Sequence, residues 1–221
     1  MSLVKSNASI SIIMKKILIL LFSIFFLSSL SVFAENISDF EIEGISIGDS
    51  LLDYMTEDEI LEEIEENKDY FYYLEEPYKY AEVYLFNYSS TYEAGLSFMI
   101  KNNSRNQYIS NKNEKYTILH IRGMKNYIED FDTCIQKRDE IAEELSNMFP
   151  NAQKIEQNSS HPFDPSGDSI TNNIYFIFDS GAQVHAKCVD FEETLRLKNN
   201  WSEGLDIVIQ SEEVTRWMRD E

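Results

Sequence analysis

The sequence has 221 residues, of which 39 are acidic and 19 are basic, so the net charge is −20. This length allows one substantial domain or two small ones. A surface this negative repels phosphate backbones and anionic headgroups, which argues against nucleic acid and peripheral membrane binding. A solvated surface is the simplest explanation of the charge, and cationic ligands, metal ions or a basic partner are the alternative.

The first 34 residues have the pattern of an export signal. Two lysines precede an apolar run, and Val32 to Ala34 has the small-x-small form of a cleavage site. We therefore predict a signal segment at residues 1–34, with its start at Met14 and cleavage after Ala34. An uncleaved anchor is the alternative, because the apolar run is about as long as the shortest membrane-spanning helices. Cleavage predicts a periplasmic or secreted protein that has no contact with the membrane afterwards.

The segment that follows predicts a strand, a turn and two short helices. Residues 40–47 alternate apolar and polar side chains apart from an irregularity at Gly44, which indicates a strand. The Gly48-Asp49-Ser50 turn then supplies N-cap residues for a first short helix. A second helix begins at Thr56-Glu57-Asp58-Glu59, a T-x-x-E capping box.

The letters GDSL at residues 48–51 resemble the nucleophile block of the esterase and lipase family known by those letters. In that family the serine attacks the ester, a D-x-x-H block supplies the base, and a G-x-N-D block supplies an oxyanion donor. Neither block occurs in this chain, and no histidine follows His185. A serine hydrolase that uses Ser50 is therefore the alternative hypothesis, and no catalytic residue is predicted.

The middle of the chain is rich in tyrosine and predicts sheet. Residues 70–100 are strand-like, with an aromatic side on the segment that begins at Tyr80. Cross-strand tyrosine pairing on a half-buried sheet is the favoured interpretation, and an aromatic platform for a sugar or an apolar ligand is the other. A polar, Asn-rich loop over residues 101–113 leads to a strand over residues 115–123.

The second half predicts a long helix and a set of strands. In chain order the elements are an amphipathic helix over residues 127–149, a polar stretch to about residue 172, a hairpin of strands 173–178 and 182–189, a strand over residues 203–210, and a terminal helix capped by Ser211. The order predicts an α+β fold in which amphipathic helices cover an antiparallel sheet. An N-terminal half at residues 35–123 and a C-terminal half at residues 124–221 form either one domain or two lobes.

Cys134 and Cys188 are the only cysteines. Cys134 lies at the edge of the apolar stripe of the predicted long helix, and Cys188 lies on the apolar face of a predicted strand. Packing of that helix on that face would bring the sulfurs together, and an exported chain meets an oxidising environment. We therefore predict a structural disulfide, with two buried free thiols or intermolecular pairing as the alternatives.

The loop of residues 161–169 is a weak candidate for binding a cation. Its oxygen-bearing side chains alternate as they do at the opening of a calcium loop. The rest of an EF-hand is missing, since Tyr175 stands where the final glutamate belongs, and an ordinary turn has the same composition. Neither a metal nor a cofactor is predicted. The weak binding candidates are His161, Asp164, Ser166 and Asp168.

Five segments spread over nearly the whole chain read GISIGDSLLDYMTEDEI, DTCIQKRDEIAEELSNMFPNA, HPFDPSGDS, YFIFDSGAQVHAKCVD and EVTRWM. Together they resemble a family of uncharacterised exported proteins from marine bacteria with AT-rich genomes. The resemblance implies export and a shared fold with this pair of cysteines, and it implies no activity. We therefore expect an exported soluble protein with a non-catalytic binding or structural role in the envelope.

Overall fold

The computed structural model describes residues 37–67, 79–102 and 114–220. The signal segment predicted at residues 1–34 lies outside the described residues. Residues 68–78 and 103–113 also lie outside them. The first range includes the start of the tyrosine-rich segment, and the second includes most of the Asn-rich loop.

The described residues form nine strands and four α-helices. The strands are β1 Glu41–Ile42, β2 Ile45–Ser46, β3 Tyr80–Leu85, β4 Gly95–Lys101, β5 Ile118–Asn126, β6 Gln153–Ser160, β7 Ile170–Ile177, β8 Gln183–Asp190 and β9 Gly204–Gln210. The helices are α1 Glu57–Asn67, α2 Phe131–Met148, α3 Glu193–Asn199 and α4 Glu212–Asp220. Two 3-10 helices, Ile37–Asp39 and Leu51–Asp53, complete the N-terminal part.

Seven of the strands form one antiparallel sheet in the order β3-β4-β5-β9-β8-β7-β6. The α+β prediction is confirmed, because helices pack on this sheet. The predicted division between residues 123 and 124 falls inside β5, which pairs with β4 on one side and β9 on the other. Both predicted halves therefore contribute strands to the same sheet.

The sheet has one apolar face and one polar face, because side chains alternate along each strand. On the apolar face α2 packs across β7, β8 and β9, and α1 packs on β3. Buried side chains such as Val83, Phe98, Ile121 and Ile207 form the main core there. On the opposite face, Val214 and Trp217 of α4 cover a smaller cluster of Tyr80, Met99 and Leu119. The rest of that face carries the site described below.

The strand predicted over residues 40–47 is instead a hairpin of β1 and β2, so this prediction is wrong. Glu43 and Gly44 have φ angles of 55° and 78°, the two positive values of a tight two-residue turn. The reversal pairs Ile42 with Ile45 and buries both side chains. The apolar positions shift from residues 40 and 42 to residues 45 and 47 at Gly44, and this irregularity in the alternation coincides with the turn.

The predicted disulfide is confirmed. Cys134 on α2 bonds to Cys188 on β8, with the two Cα atoms 6.0 Å apart and both side chains fully buried. The helix that carries Cys134 begins later than predicted, at Phe131, because the Asp130 side chain accepts a hydrogen bond from the Thr133 backbone N–H at 3.4 Å. The bond joins the helical layer to the middle of the sheet.

One strand of the main sheet and one α-helix were not predicted. The polar stretch before residue 172 contains β6, an edge strand in which every residue is exposed, so burial imposes no apolar alternation on it. Helix α3 has only seven residues and no buried side chain, so it shows no amphipathic pattern either.

Among the described residues, no helix combines the length and the apolar character that crossing a membrane requires.

Candidate functional site

The polar face of the sheet contains a cleft of about 660 Å³. Side chains of β3, β5, β8 and β9 form its floor. The turn after β6 and the connection from β8 through α3 to β9 form one wall, which includes Phe163, Phe191 and Trp201. This volume lies within the range of roughly 300–1,000 Å³ that is typical of small-molecule sites.

Three charged side chains on adjacent strands form the centre of the floor. The Asp206 carboxylate lies 2.8 Å from Lys187 Nζ and 3.2 Å from Arg122 Nε. Its side chain is 11% exposed, whereas those of Arg122 and Lys187 are 31% and 23% exposed. Burial alone would raise the pKa of Asp206, but the two cations outweigh burial and hold it below its usual value. The two cations are therefore partly exposed in the cleft, and the more deeply buried Asp206 carboxylate holds them in place through the two ion pairs.

Aromatic rings form the wall beside this floor. The ring centroids of Phe191 and Trp201 are 4.8 Å apart, and the His161 ring lies 4.9 Å from Phe191 and 5.7 Å from Phe163. Phe163, at the rim, is 64% exposed. A wall of this kind offers apolar ring surface to a ligand.

A second aromatic pair lies at the β3 end of the cleft. The rings of Tyr84 and Phe86 are stacked, with centroids 5.5 Å apart and planes 4° from parallel. Phe86 is 56% exposed. The aromatic side predicted for the segment that begins at Tyr80 therefore exists, and its far end contributes to the cleft.

The loop of residues 161–169 positions the wall through its own hydrogen bonds. Asp164 Oδ1 accepts from the Ser166 hydroxyl at 2.6 Å and the Ser166 backbone N–H at 2.8 Å, and Oδ2 accepts from the Ser169 N–H at 2.7 Å. These hydrogen bonds hold the pKa of Asp164 far below its usual value, and the bond from the Ser166 side chain has the largest effect. The Ser169 hydroxyl accepts from the Glu192 N–H at 2.8 Å, next to Phe191 in the wall.

The side chains of the four weak binding candidates thus do not converge on one site. His161 lines the cleft, the Asp164 carboxylate and the Ser166 hydroxyl bond to each other within the loop, and Asp168 is exposed. Across residues 37–67, 79–102 and 114–220, no three His, Cys, Asp or Glu side chains are arranged to hold a metal ion. The structure therefore assigns the loop a part in shaping the wall.

A buried carboxylate fixes the other side of the wall. Glu203 is 5% exposed, and its side chain accepts from the backbone N–H groups of Glu129 at 3.0 Å and Phe191 at 3.4 Å. Its Oε2 also lies 3.6 Å from Arg196 Nε on α3. The Glu203 carboxylate thereby connects the segment just before α2 with the turn that carries Phe191.

Gly204, the first residue of β9, allows a close approach of two backbones at the cleft. Its φ is 138°, and a Cβ at this position would collide with the Lys125 carbonyl oxygen. Only glycine adopts this conformation without strain. Gly204 therefore brings the start of β9, three residues after Trp201, against the end of β5.

Two histidines lie beside the floor on the same face. His120 is on β5, two residues before Arg122, and His185 is on β8, two residues before Lys187. Burial, reinforced by these neighbouring cations, lowers the pKa of His120 to about 4 and that of His185 to about 3. Both imidazoles are therefore neutral at neutral pH.

Ser50 is not part of the cleft lining. Its hydroxyl donates to the Lys115 carbonyl at 2.8 Å and accepts from the Leu52 N–H at 3.3 Å, and the residue is 3% exposed. The neighbouring Asp49 carboxylate accepts from the Ser46 N–H at 2.9 Å and the Tyr54 hydroxyl at 2.9 Å. These are the contacts of a turn that caps a short helix. The sequence favoured this interpretation because the other two esterase blocks are missing.

Replacement of Ser50 by alanine should lower the free energy of unfolding by about 1–2 kcal/mol, because the helix loses its cap and the Lys115 carbonyl loses a donor. Chemical denaturation measures the change. Ser90→Ala, at an exposed position, is the matched control and should change stability by less than about 0.5 kcal/mol. Unchanged stability of Ser50→Ala, together with turnover of aryl esters that this substitution abolishes, would contradict the assignment.

Sequence reasoning missed the floor of the cleft. Its residues are far apart in the chain and come together only through the pairing of β5, β9 and β8. One signal was present: Asp206 interrupts Gly204-Leu-Asp-Ile-Val-Ile-Gln210, a strand that is otherwise largely apolar. A carboxylate in such a strand usually requires a nearby cation.

Comparison of the chain with models of protein families, with curated proteins and with solved structures found no match. The resemblance to exported proteins of marine bacteria therefore stays a prediction.

Proposed function

We propose that this protein is an exported, soluble binding protein whose ligand is a small organic molecule held in the cleft, with no catalytic role. One observation carries the proposal: exposed aromatic side chains and a charged floor border the same concave site. Small-molecule sites combine mostly apolar lining with a few polar groups that orient the ligand.

The two parts of the site would contribute differently to binding. Covering Phe86, Phe163 and Trp201 removes apolar ring surface from water, which supplies most of the affinity at roughly 25 cal/mol per Å². Arg122, Lys187 and Asp206 would orient the polar side of the ligand through charge-assisted hydrogen bonds.

Hydrogen bonds within the protein, those of the loop and of Glu203, hold the wall in place. A preorganised site of this kind loses less conformational entropy on binding than a mobile one. These hydrogen bonds therefore support a binding role for the cleft.

The two tryptophans provide a direct test. Trp201 lies in the cleft, whereas Trp217 packs against Tyr80 under α4, with ring centroids 5.3 Å apart. In Trp217→Phe, only Trp201 fluoresces as an indole, and ligands from a library of neutral, anionic and cationic small molecules should change its emission. Trp201→Phe is the matched control, and the same ligands should leave its emission unchanged.

Loss of the ring should also weaken binding. We expect Trp201→Ala to raise the Kd of a library hit about tenfold, since aromatic contacts contribute roughly 0.5–1.5 kcal/mol beyond their buried area. Titration calorimetry measures the change. Hits that bind Trp201→Ala as tightly as the unmodified protein would place binding elsewhere and refute the proposal.

The proposal of export rests on the signal pattern and on the disulfide, since disulfides persist in oxidising compartments. In cells of a Gram-negative host, the protein should be recovered outside the cytoplasm with Glu35 as its first residue. N-terminal sequencing of the periplasmic and secreted fractions checks this, and Ala34→Phe, which changes the cleavage site, is the control. A full-length chain found only in the cytoplasm would contradict export.

A further inference from the structure

The charges that line the cleft are balanced. Arg122 and Lys187 contribute two cations, and Asp206 and Glu82 contribute two carboxylates. Asn200 and Ser202 add uncharged polar groups at the wall. Hydrogen-bond donors and acceptors are therefore both present in quantity, while the lining has no formal net charge.

This balance disfavours an ionic ligand of either sign. An anion would approach a molecule with a net charge of −20 and would meet two carboxylates in the cleft. A cation would be favoured by the aromatic rings, but it would meet the exposed parts of Arg122 and Lys187. Either ion would lose hydration without a matching excess of opposite charge.

A neutral polyhydroxylated ligand avoids this conflict. Each hydroxyl group is one donor and two acceptor lone pairs, so neighbouring hydroxyls can donate to a carboxylate and accept from a guanidinium or an ammonium group. Hydrogen bonds to charged partners are roughly twice as strong as those between neutral groups. The floor of Arg122, Asp206 and Lys187 presents both kinds of charged partner within a few ångströms.

The aromatic side chains fit the other surface of such a ligand. A sugar ring carries its hydroxyls around its edge and exposes a face of C–H groups, whose partial positive charge is attracted to the negative face of an aromatic ring. Rings stand on two sides of the cleft, Phe86 with Tyr84 near β3, and Phe163 with Trp201 in the wall.

We propose that the cleft binds a neutral oligosaccharide, with sugar faces on the aromatic rings and hydroxyl groups on the charged floor. The inference rests on the proposed function, because it names the ligand class of the same site. The volume of about 660 Å³ suits a ligand of two or more sugar rings.

The test uses the full mature chain and an array of neutral oligosaccharides built from hexose, pentose, deoxyhexose and N-acetylhexosamine units. Benzoate, decanoate and benzyltrimethylammonium serve as charged probes in parallel titrations. We expect at least one oligosaccharide to bind and to change the emission of Trp201 in Trp217→Phe. Its Kd should change less than about twofold between ~50 and ~500 mM NaCl, because a neutral ligand is not screened by salt.

Two variants localise the binding. Phe163→Ala removes a ring that is 64% exposed, so the fold tolerates it, and it should weaken oligosaccharide binding about threefold to tenfold. Leu197→Ala removes an equally exposed side chain, also 64%, that does not line the cleft, and it should leave the Kd unchanged.

The possible failures are distinguishable. If only charged probes bind, and Trp201→Ala and Phe163→Ala weaken that binding, the oligosaccharide proposal is refuted and the proposed binding function is retained. Oligosaccharide binding that Phe163→Ala and Trp201→Ala do not weaken would refute the proposed site. Absence of binding by the array, the charged probes and the small-molecule library would refute both proposals.

Discussion

Replacement of both Cys134 and Cys188 by alanine should lower the free energy of unfolding by about 4 kcal/mol. The bond closes a loop whose ends are 54 residues apart, and the chain-entropy model assigns about this amount to a loop of that length. For a chain of this size, such a loss corresponds to a decrease in Tm of roughly 10 °C. Thermal and chemical denaturation of the double variant measure the effect.

A reductant provides the matched control for this prediction. Dithiothreitol should lower the Tm of the unmodified protein by a similar amount, and it should leave the double variant unchanged. Alkylation of the denatured, unreduced protein should label no thiol, because the chain has only these two cysteines. Labelling of two thiols, or a reductant effect of equal size in the double variant, would contradict the stabilising role of the bond.

Acidification from about pH 7 to about pH 4.5 should destabilise the protein through His120 and His185. Their pKa values in the folded chain are about 4 and about 3, against 6.5 for ordinary histidine. As the pH falls below 6.5 the unfolded chain therefore binds protons that the folded chain does not, and stability decreases. Partial solvent contact reduces the effect, so we expect a loss of about 1–2 kcal/mol for each histidine.

Chemical denaturation at a series of pH values tests this prediction, with His120→Gln/His185→Gln as the comparison. The double variant should lose much less stability between about pH 6.5 and about pH 4.5. Asp164 and Asp206 titrate in a separate window: their pKa values are lowered, so the stability they contribute above about pH 4 is lost only at more acidic pH. Equal slopes for the two proteins above pH 4.5 would show that the histidines are not the cause.

Local features of the fold could be predicted because their causes lie within a few residues. The capping box at the start of α1 is one example: the Glu59 carboxylate accepts from the Thr56 N–H at 2.8 Å, and the Thr56 hydroxyl accepts from the Glu59 N–H at 3.3 Å. The β7–β8 hairpin is another, since its strands carry strong apolar patterns on both sides of Gly181. The disulfide followed from the same local patterns, which placed both cysteines on buried faces.

The parts that could not be predicted depend on distant pairing. Strand β6 has no apolar pattern because it is an exposed edge, so only its pairing with β7 identifies it as a strand. The cleft depends on β9 lying between β5 and β8, which places Asp206 between Arg122 and Lys187. Trp201 gave no signal of its own, since its place in the wall depends on Glu203 and on the close approach at Gly204.

The position of Cys188 has a consequence for the cleft on the opposite side of the sheet. Neighbouring residues of a strand point to opposite faces, so the cysteine that bonds to α2 lies between Lys187 and Val189, both of which line the cleft. A slip of β8 by one residue would exchange the two faces and turn Lys187 away from Asp206. The Cys134–Cys188 bond to α2 excludes that slip. A disulfide on the apolar face of the sheet thereby fixes the strand register that assembles the charged floor on the opposite face.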